Sequence, residues 1–209
     1  TIHILGAGIS GLSAGVRLAD AGYTVRVHEA TQQVGGRCRS YFDGATNLTI
    51  DNGNHLLLSG NHHVLAYARK IGSEAGLKGP QDARFSFIDL AANKRWMLRI
   101  NDSRIPFWVF DPARRVPDTG PADYFGLAPL TWASTQTRIG DAIKCKGPLY
   151  DRLVGPLLLA ALNIDPPNGS AGLAGAIIRE TLLAGGQACR PLIASDGLSS
   201  VLIDPAIRF

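Results

Sequence analysis

A glycine-rich turn at residues 6–11 constrains this chain more than any other feature. The turn has the form Gly-x-Gly-x-x-Gly and follows residues 2–5, an apolar run suited to a buried parallel strand. Apolar residues then recur at helical spacing from Ile9 to Ala19, and Gly22 is suited to end that helix in a left-handed turn. The order of strand, glycine turn and helix predicts the first part of a βαβ unit.

Residues 23–28 alternate like a second strand, which closes at Glu29. In such a unit the first glycine permits a tight turn, the second lets a diphosphate approach the backbone, and the third lets the helix pack on its strand. A carboxylate at Glu29 can accept hydrogen bonds from ribose hydroxyls and repels a 2′-phosphate. An ordinary glycine-rich turn is the alternative, but it leaves the second strand and the acid unexplained. We therefore predict a dinucleotide site that does not take NADP.

Two further turns add to this prediction. Gly35 and Gly36 permit close backbone approach, and Arg37 can clamp phosphate with its planar guanidinium, so we predict contact with the pyrophosphate over a plain surface turn. The polar turn around Gly53 precedes three leucines. That turn is either an edge where a cofactor meets an apolar cavity or the entry to a core strand, and composition leaves both open.

Composition excludes several classes of protein. The chain has 209 residues, 45% hydrophobic and 18% charged, which is typical of globular proteins with one large or two small domains. The net charge of +4 is scattered, so we expect no nucleic-acid partner. Three cysteines without a C-x-x-C spacing favour a reduced, cytoplasmic protein, and the adjacent His62 and His63 make a poor metal pair. No apolar run reaches the length of a membrane span.

Element signals continue along the chain. Asn61 is suited to cap a helix that runs to Ile71, and residues 84–90 and 94–100 predict a hairpin. Residues 148–163 predict one helix or two broken at Pro156, and Ser170 is suited to cap a helix through Leu183. The character of the sequence changes near residues 79–80.

Two apolar features have open interpretations. Residues 105–110 are aromatic and lie near arginines, which is typical either of peripheral contact with the inner face of a membrane or of a loop packed on a core. The apolar stripes of the later helices, including Ile177 and Ile178, either line a pocket or pack in the core, and core packing is the usual outcome.

The combination of the glycine turn, Glu29, residues 35–37 and the Asp51-x-Gly53 turn resembles the FAD-binding amine oxidase and phytoene desaturase superfamily. Residues 51–58, 156–163, 188–193 and 197–199 further resemble the squalene-associated FAD-dependent desaturases, a family also called hydroxysqualene dehydroxylases. The resemblance implies an α/β fold: a Rossmann-like FAD-binding βαβ unit plus part of an α+β substrate domain, at the front of a longer chain whose remainder is missing or lies on a partner chain.

The resemblance also implies roles for segments and residues. Residues 1–78 would form the FAD-binding portion, residues 79–190 the substrate domain, and residues 191–209 the start of a segment returning to the FAD domain. FAD would be held by residues in the glycine turn, at the end of the second strand and in the two later turns: Gly6, Gly8, Ile9, Ser10, Gly11, Glu29, Ala30, Gly35, Gly36, Arg37, Gly53, Asn54 and His55.

The implied activity is FAD-dependent reductive dehydroxylation of hydroxysqualene, a small hydrophobic isoprenoid substrate, to squalene. His55 is the first candidate for the acid that protonates the departing oxygen, because imidazole titrates near neutrality. A carotenoid-type desaturase or an amine oxidase is the alternative enzyme. A dinucleotide-binding fragment or subunit without catalysis is the alternative of another class.

Overall fold

The protein is described from a computed structural model that covers residues 1–53 and 56–209. The strands in these ranges are β1 Ile2–Leu5, β2 Val25–His28, β3 Ser40–Asp43, β4 Leu48–Asp51, β5 Leu57–Leu58, β6 Leu77–Lys78, β7 Arg84–Asp89, β8 Lys94–Arg99 and β9 Pro191–Ala194. The α-helices are α1 Ile9–Asp20, α2 His62–Lys70, α3 Pro121–Phe125, α4 Ile139–Ala142, α5 Gly155–Leu162, α6 Ala171–Glu180, α7 Gly186–Cys189 and α8 Asp204–Arg208. Within the described residues, no helix combines the length and apolar composition needed to cross a membrane.

The chain divides into two compact units. Unit 1 comprises Thr1–Gly79 and Pro191–Phe209, and unit 2 comprises Pro80–Arg190. The functional roles assigned to residues 1–78, 79–190 and 191–209 stay predictions.

Unit 1 is built on the predicted βαβ arrangement. β1 and β2 are parallel, with Ile2 opposite Val25, and α1 connects them. Gly15 lies on the face of α1 that meets the sheet, where a Cβ atom would stand 3.6 Å from Ile4 Cδ1 and 3.7 Å from Val27 Cγ2. Gly22 follows the helix with a φ of +84°, as the sequence predicts. The predicted α/β fold class is therefore confirmed, and the βαβ unit is its most specific element.

The final segment of the chain enters unit 1 between earlier strands. β9 pairs antiparallel with β5 on one side and with β6 on the other. A π-helical turn, Ser199–Ile203, follows and runs into α8. Unit 1 thus consists of two stretches that are far apart in sequence.

Two hydroxyl groups hold the π-helical turn. Tyr67 Oη donates a hydrogen bond of 2.9 Å to the Leu202 carbonyl, and Ser73 Oγ donates one to the Val201 carbonyl. A π-helical turn departs from regular α-helical bonding, and these hydroxyls give its carbonyls partners. Burial raises the pKa of Tyr67 to about 12, so the phenol stays protonated as a donor at neutral pH.

Unit 2 joins a hairpin to a set of short helices. β7 and β8 are antiparallel, as predicted, and a π-helical turn, Tyr150–Val154, runs directly into α5. Its core contains fully buried side chains from several of these elements: Leu98, Trp108, Val116, Leu130, Ile139, Leu158 and Ala174. α6 packs so closely on the neighbouring turn that a Cβ at Gly175 would overlap with the Leu130 carbonyl oxygen.

Two capping predictions have different outcomes. Ser170 caps α6 as predicted, since its Oγ accepts the Leu173 amide at 3.3 Å, but the helix ends at Glu180, short of Leu183. The prediction that the Asn61 side chain caps α2 is wrong. Its Oδ1 accepts the Leu58 amide at 2.8 Å instead, because a short carboxamide binds nearby loop amides as readily as helix amides.

The Tyr67 contact gives a test of how the final segment is held. We expect Tyr67→Phe to lower the free energy of unfolding by about 1–3 kcal/mol, since the buried Leu202 carbonyl loses its donor. Chemical denaturation of the purified protein measures this. Tyr23→Phe, which removes the hydroxyl of an exposed tyrosine, should change the free energy of unfolding by no more than about 0.5 kcal/mol. Equal unfolding midpoints for the two variants would contradict a stabilising role for the Tyr67 hydrogen bond.

Candidate functional site

The glycine turn has an open main chain at the start of α1. Gly6 leaves β1 with a φ of +95°, which favours glycine, and Gly8 is extended at the N-cap position of α1. Within residues 1–53 and 56–209 no side chain caps this helix end, and its first turn, where Ile9 and Ser10 lie, has no acidic residue. The first-turn amides and the positive end of the helix dipole therefore remain available to an anion.

Gly8 and Gly11 are glycines for different reasons. A Cβ at Gly11 would overlap with the Gly6 carbonyl oxygen, so this glycine is required for the helix to lie against the turn. A Cβ at Gly8 would meet no atom within 4 Å. Packing within the described residues therefore does not demand glycine at position 8, and the open space beside it is a cradle that a side chain would fill.

The Gly-Gly-Arg turn lies directly against this cradle. The Gly35 amide donates to the Ala7 carbonyl at 2.8 Å, and a parallel bridge joins Gly35 to Gly8. A Cβ at Gly36 would stand 3.4 Å from Gly8 Cα. Arg37 follows on an exposed turn. The structure thus brings together the two glycine segments that the sequence separates.

Glu29 connects the end of β2 to the glycine turn. Its Oε2 accepts the Ala7 amide at 2.8 Å, and its Oε1 accepts the amide and the hydroxyl of Thr31, each at 2.9 Å. The Ala7 amide bond, followed by the bonds from Thr31, lowers the pKa of Glu29 to about 2, so the side chain is a carboxylate at neutral pH. Two carboxylate oxygens offer about four acceptor directions, and the donors from Ala7 and Thr31, with a weaker contribution from the Ala30 amide, already take most of them, so a ribose hydroxyl would have to share this carboxylate. That ribose contact stays a prediction.

The Asp51 turn is tied to the final segment. Asp51 Oδ1 accepts the Ser40 hydroxyl at 2.6 Å and the Leu198 amide at 2.8 Å. Ser40 and Ser199 also exchange hydrogen bonds, each hydroxyl accepting the other's amide at 2.9 and 2.7 Å. Gly197 has a φ of +86°, and a Cβ there would come within 2.7 Å of Ser40 Oγ. Asp51 is therefore a structural acceptor that positions the turn leading to Gly53.

Ser40 and Ser199 were not among the predicted site residues. They are 159 positions apart, and no local pattern indicates that they meet. Two predicted residues, Asn54 and His55, lie outside the described residues, so the catalytic role of His55 stays a prediction. Ala30 follows Glu29 on an exposed turn, and its contact with FAD stays a prediction.

The depressed pKa of Glu29 predicts how acid affects stability. A pKa of about 2, below the ordinary value of 4.5, means that the carboxylate stabilises the fold above about pH 4.5 and that this contribution disappears as pH falls towards 2. We expect Glu29→Gln to be less stable than the native protein at pH 7 and to lose less stability between pH 5 and pH 2. Thermal unfolding across this range measures both.

The control for this experiment is Glu180→Gln, which replaces an exposed glutamate at the end of α6. It should follow the native pH profile. A Glu29→Gln profile that also matches the native one would show that the Ala7 and Thr31 contacts contribute nothing to stability.

Comparison with known proteins agrees with this geometry. The chain is 69% identical over 207 residues to the hydroxysqualene dehydroxylase of Rhodopseudomonas palustris, covering 99% of this chain and 50% of that protein. It is 44% identical over 207 residues to the hydroxysqualene dehydroxylase of Zymomonas mobilis, with the same coverage of 99% and 50%. The chain thus spans about half the length of the curated relatives it matches.

A solved structure and a family model give the wider relationship. Cyclohexylamine oxidase from Brevibacterium oxydans superposes with a TM-score of 0.63 at 18% identity, over 99% of this chain and 48% of that one, which shows a shared fold. The model of the flavin-containing amine oxidoreductases matches residues 9–207. The chain therefore belongs to the family of flavin-containing amine oxidoreductases.

Proposed function

We propose that this chain supplies the FAD-binding loop of an enzyme that converts hydroxysqualene to squalene by reductive dehydroxylation. The observation that carries the proposal is the 69% identity, along nearly the whole chain, to a protein named hydroxysqualene dehydroxylase. A divergent fold relative would support only flavin binding, whereas identity at this level supports a shared substrate class. The test uses the full-length protein with reduced flavin under anaerobic conditions. It is incubated separately with hydroxysqualene, with phytoene and with a primary amine, and the products are analysed.

The residues of the glycine turn suit FAD. The open space beside Gly8 and the uncapped start of α1 would hold the pyrophosphate, and Arg37 would pair with it. Glu29 would hold the adenosine ribose, and its ionised carboxylate would repel the 2′-phosphate of NADP. When bound, FAD supplies the hydride chemistry of the reaction.

The reaction places one clear demand on the protein. Replacing an allylic hydroxyl by hydrogen breaks the C–O bond, delivers a hydride to the carbon and releases the oxygen as water once it has received a proton. A general acid must supply that proton, and we assign the role to His55 because it follows the Asp51–Gly53 turn that Ser40 and Ser199 position.

We further propose that the whole protein works in the cytoplasm with peripheral contact to the inner face of the membrane, where its apolar substrate partitions. Ile105, Phe107 and Phe110 support this contact, since each is more than half exposed, in or just before the 3₁₀ turn Phe107–Phe110. Nucleic acid is not an expected partner, and the remaining half of the protein would complete the site.

Two glycine variants separate cofactor binding from folding. We expect Gly8→Ala to leave the unfolding temperature of the flavin-free protein unchanged and to weaken FAD affinity at least about tenfold, because the new methyl group fills only the cradle. Gly11→Ala should lower both the unfolding temperature and the FAD affinity, because its Cβ overlaps with the Gly6 carbonyl. Flavin fluorescence titration and thermal unfolding of the full-length protein measure the two effects.

The matched control is Gly44→Ala, since a Cβ at that position also meets no atom within 4 Å but lies on the turn between β3 and β4. It should retain native stability and native FAD affinity. If Gly8→Ala binds FAD as tightly as Gly44→Ala does, the pyrophosphate does not lie at this turn.

The acid role of His55 has a separate test. In the full-length enzyme saturated with FAD, we expect His55→Ala to lose about 10²–10⁴-fold in turnover with hydroxysqualene, because the departing oxygen lacks a proton donor. His62→Ala, at the exposed start of α2, should keep native turnover. Unchanged turnover in His55→Ala would remove this residue from the mechanism.

A further inference from the structure

Unit 2 contains an apolar cavity that the proposed cofactor site does not use. Its volume is about 180 Å³. The wall combines side chains from the turn around Trp108, from α3 and the turn after it, and from α6 and the residues that follow it: Pro106, Trp108, Phe125, Ala128, Ile178 and Leu182. No charged residue belongs to the described wall.

The hydroxyl groups in the wall already have partners. Tyr124 Oη accepts the Val116 amide at 3.0 Å, and Thr131 Oγ1 donates to the Ala128 carbonyl at 2.8 Å. A water molecule needs two to four polar partners to be held in a cavity, and these two hydroxyls are engaged with the protein, so the unpartnered indole N–H of Trp108 does not suffice on its own. The cavity is therefore suited to an apolar ligand.

Trp108 contributes aromatic surface to the wall of the cavity. The residue is 1% exposed, and its indole N–H has no hydrogen-bond acceptor among the described residues. Its ring meets that of Tyr124 edge to face, with centroids 5.0 Å apart, which holds the wall in place. Together with Phe125, these rings give the cavity an aromatic wall, on which the flat C=C bond of an isoprenyl group can stack as another ring does.

The size of the cavity limits what it can hold. An engineered apolar cavity of about 150 Å³ in another protein accepts benzene, so this one has room for a group of about six carbons. One branched isoprenyl end, with five carbons and one double bond, matches this volume. Phe125 is 59% exposed, so the wall reaches the surface and the rest of a long chain can extend outside.

We propose that this cavity binds one branched, unsaturated end of a linear isoprenoid hydrocarbon. The identity of that hydrocarbon as hydroxysqualene rests on the proposed function, whereas the binding of an isoprenyl end rests on the cavity alone.

The probe for the experiment is 2-methyl-2-butene, with saturated 2-methylbutane as its comparison. In the full-length protein we expect 2-methyl-2-butene to shift the methyl resonances of Ile178 and Leu182 saturably, and to bind more tightly than 2-methylbutane. Ala128→Leu fills the cavity and should weaken binding of the probe at least tenfold without lowering the unfolding temperature. Ala160→Leu makes the same change on the exposed face of α5 and should bind the probe as the native protein does.

The same variants give an enzymatic readout. Ala128→Leu should raise the KM for hydroxysqualene at least tenfold and change kcat less than threefold, while Ala160→Leu changes neither. Ala128→Val, a smaller filling, replaces Ala128→Leu if the latter does not fold.

Absence of probe binding to the native protein, or equal binding to native protein and filled variant, would overturn the proposal. Probe binding that Ala128→Leu blocks, in a protein that does not convert hydroxysqualene, would support the cavity and overturn the proposed function. If the native protein converts hydroxysqualene and Ala128→Leu leaves that turnover unchanged, the proposed function would be supported and the proposal for the cavity would be overturned.

Discussion

The site depends on a backbone contact that only glycine allows. The start of α1 lies so close to the Gly6 carbonyl that no side chain fits at Gly11. This approach leaves the uncapped helix amides beside the open space at Gly8. Glu29 and the Gly35 amide then fasten opposite sides of the turn through the Ala7 amide and carbonyl. A rigid turn with free amides is preorganised for a diphosphate, so little ordering remains to oppose binding.

The final segment of the chain packs against the glycine segments and against the turn at Asp51 in unit 1. Ile203 is fully buried, and a Cβ at Gly35 would stand 3.1 Å from its Cγ1, so the π-helical turn packs directly behind the Gly-Gly-Arg segment. Tyr67 and Ser73 hold the carbonyls of that turn, while Asp51 holds the amide of Leu198. The cofactor loop and the turn leading to Gly53 therefore share one support. Disturbing the final segment should affect both, because the contacts that position them are continuous.

The two units differ in the polarity of the groups that they offer to a ligand. Unit 1 presents backbone amides, an arginine and an ionised carboxylate, which are groups suited to phosphates and sugars. Unit 2 presents a cavity whose hydroxyls are already bonded, which leaves apolar and aromatic contact. A polar dinucleotide and a long hydrocarbon differ in this way, so each unit suits one of the two partners of the proposed reaction.

The amino-acid sequence alone determined the elements that local chemistry encodes. Glycine spacing and hydrophobic period predicted the βαβ unit with its left-handed Gly22, the β7–β8 hairpin and the Ser170 cap, because each depends on neighbouring residues. Only the tertiary structure decided that β9 lies between β5 and β6, that Ser40 pairs with Ser199, and that Glu29 binds the Ala7 amide. It also decided that the Asn61 carboxamide turns back to Leu58. These outcomes depend on which distant groups meet, and hydrogen-bond donors and acceptors carry no label of their partner until packing brings them within reach.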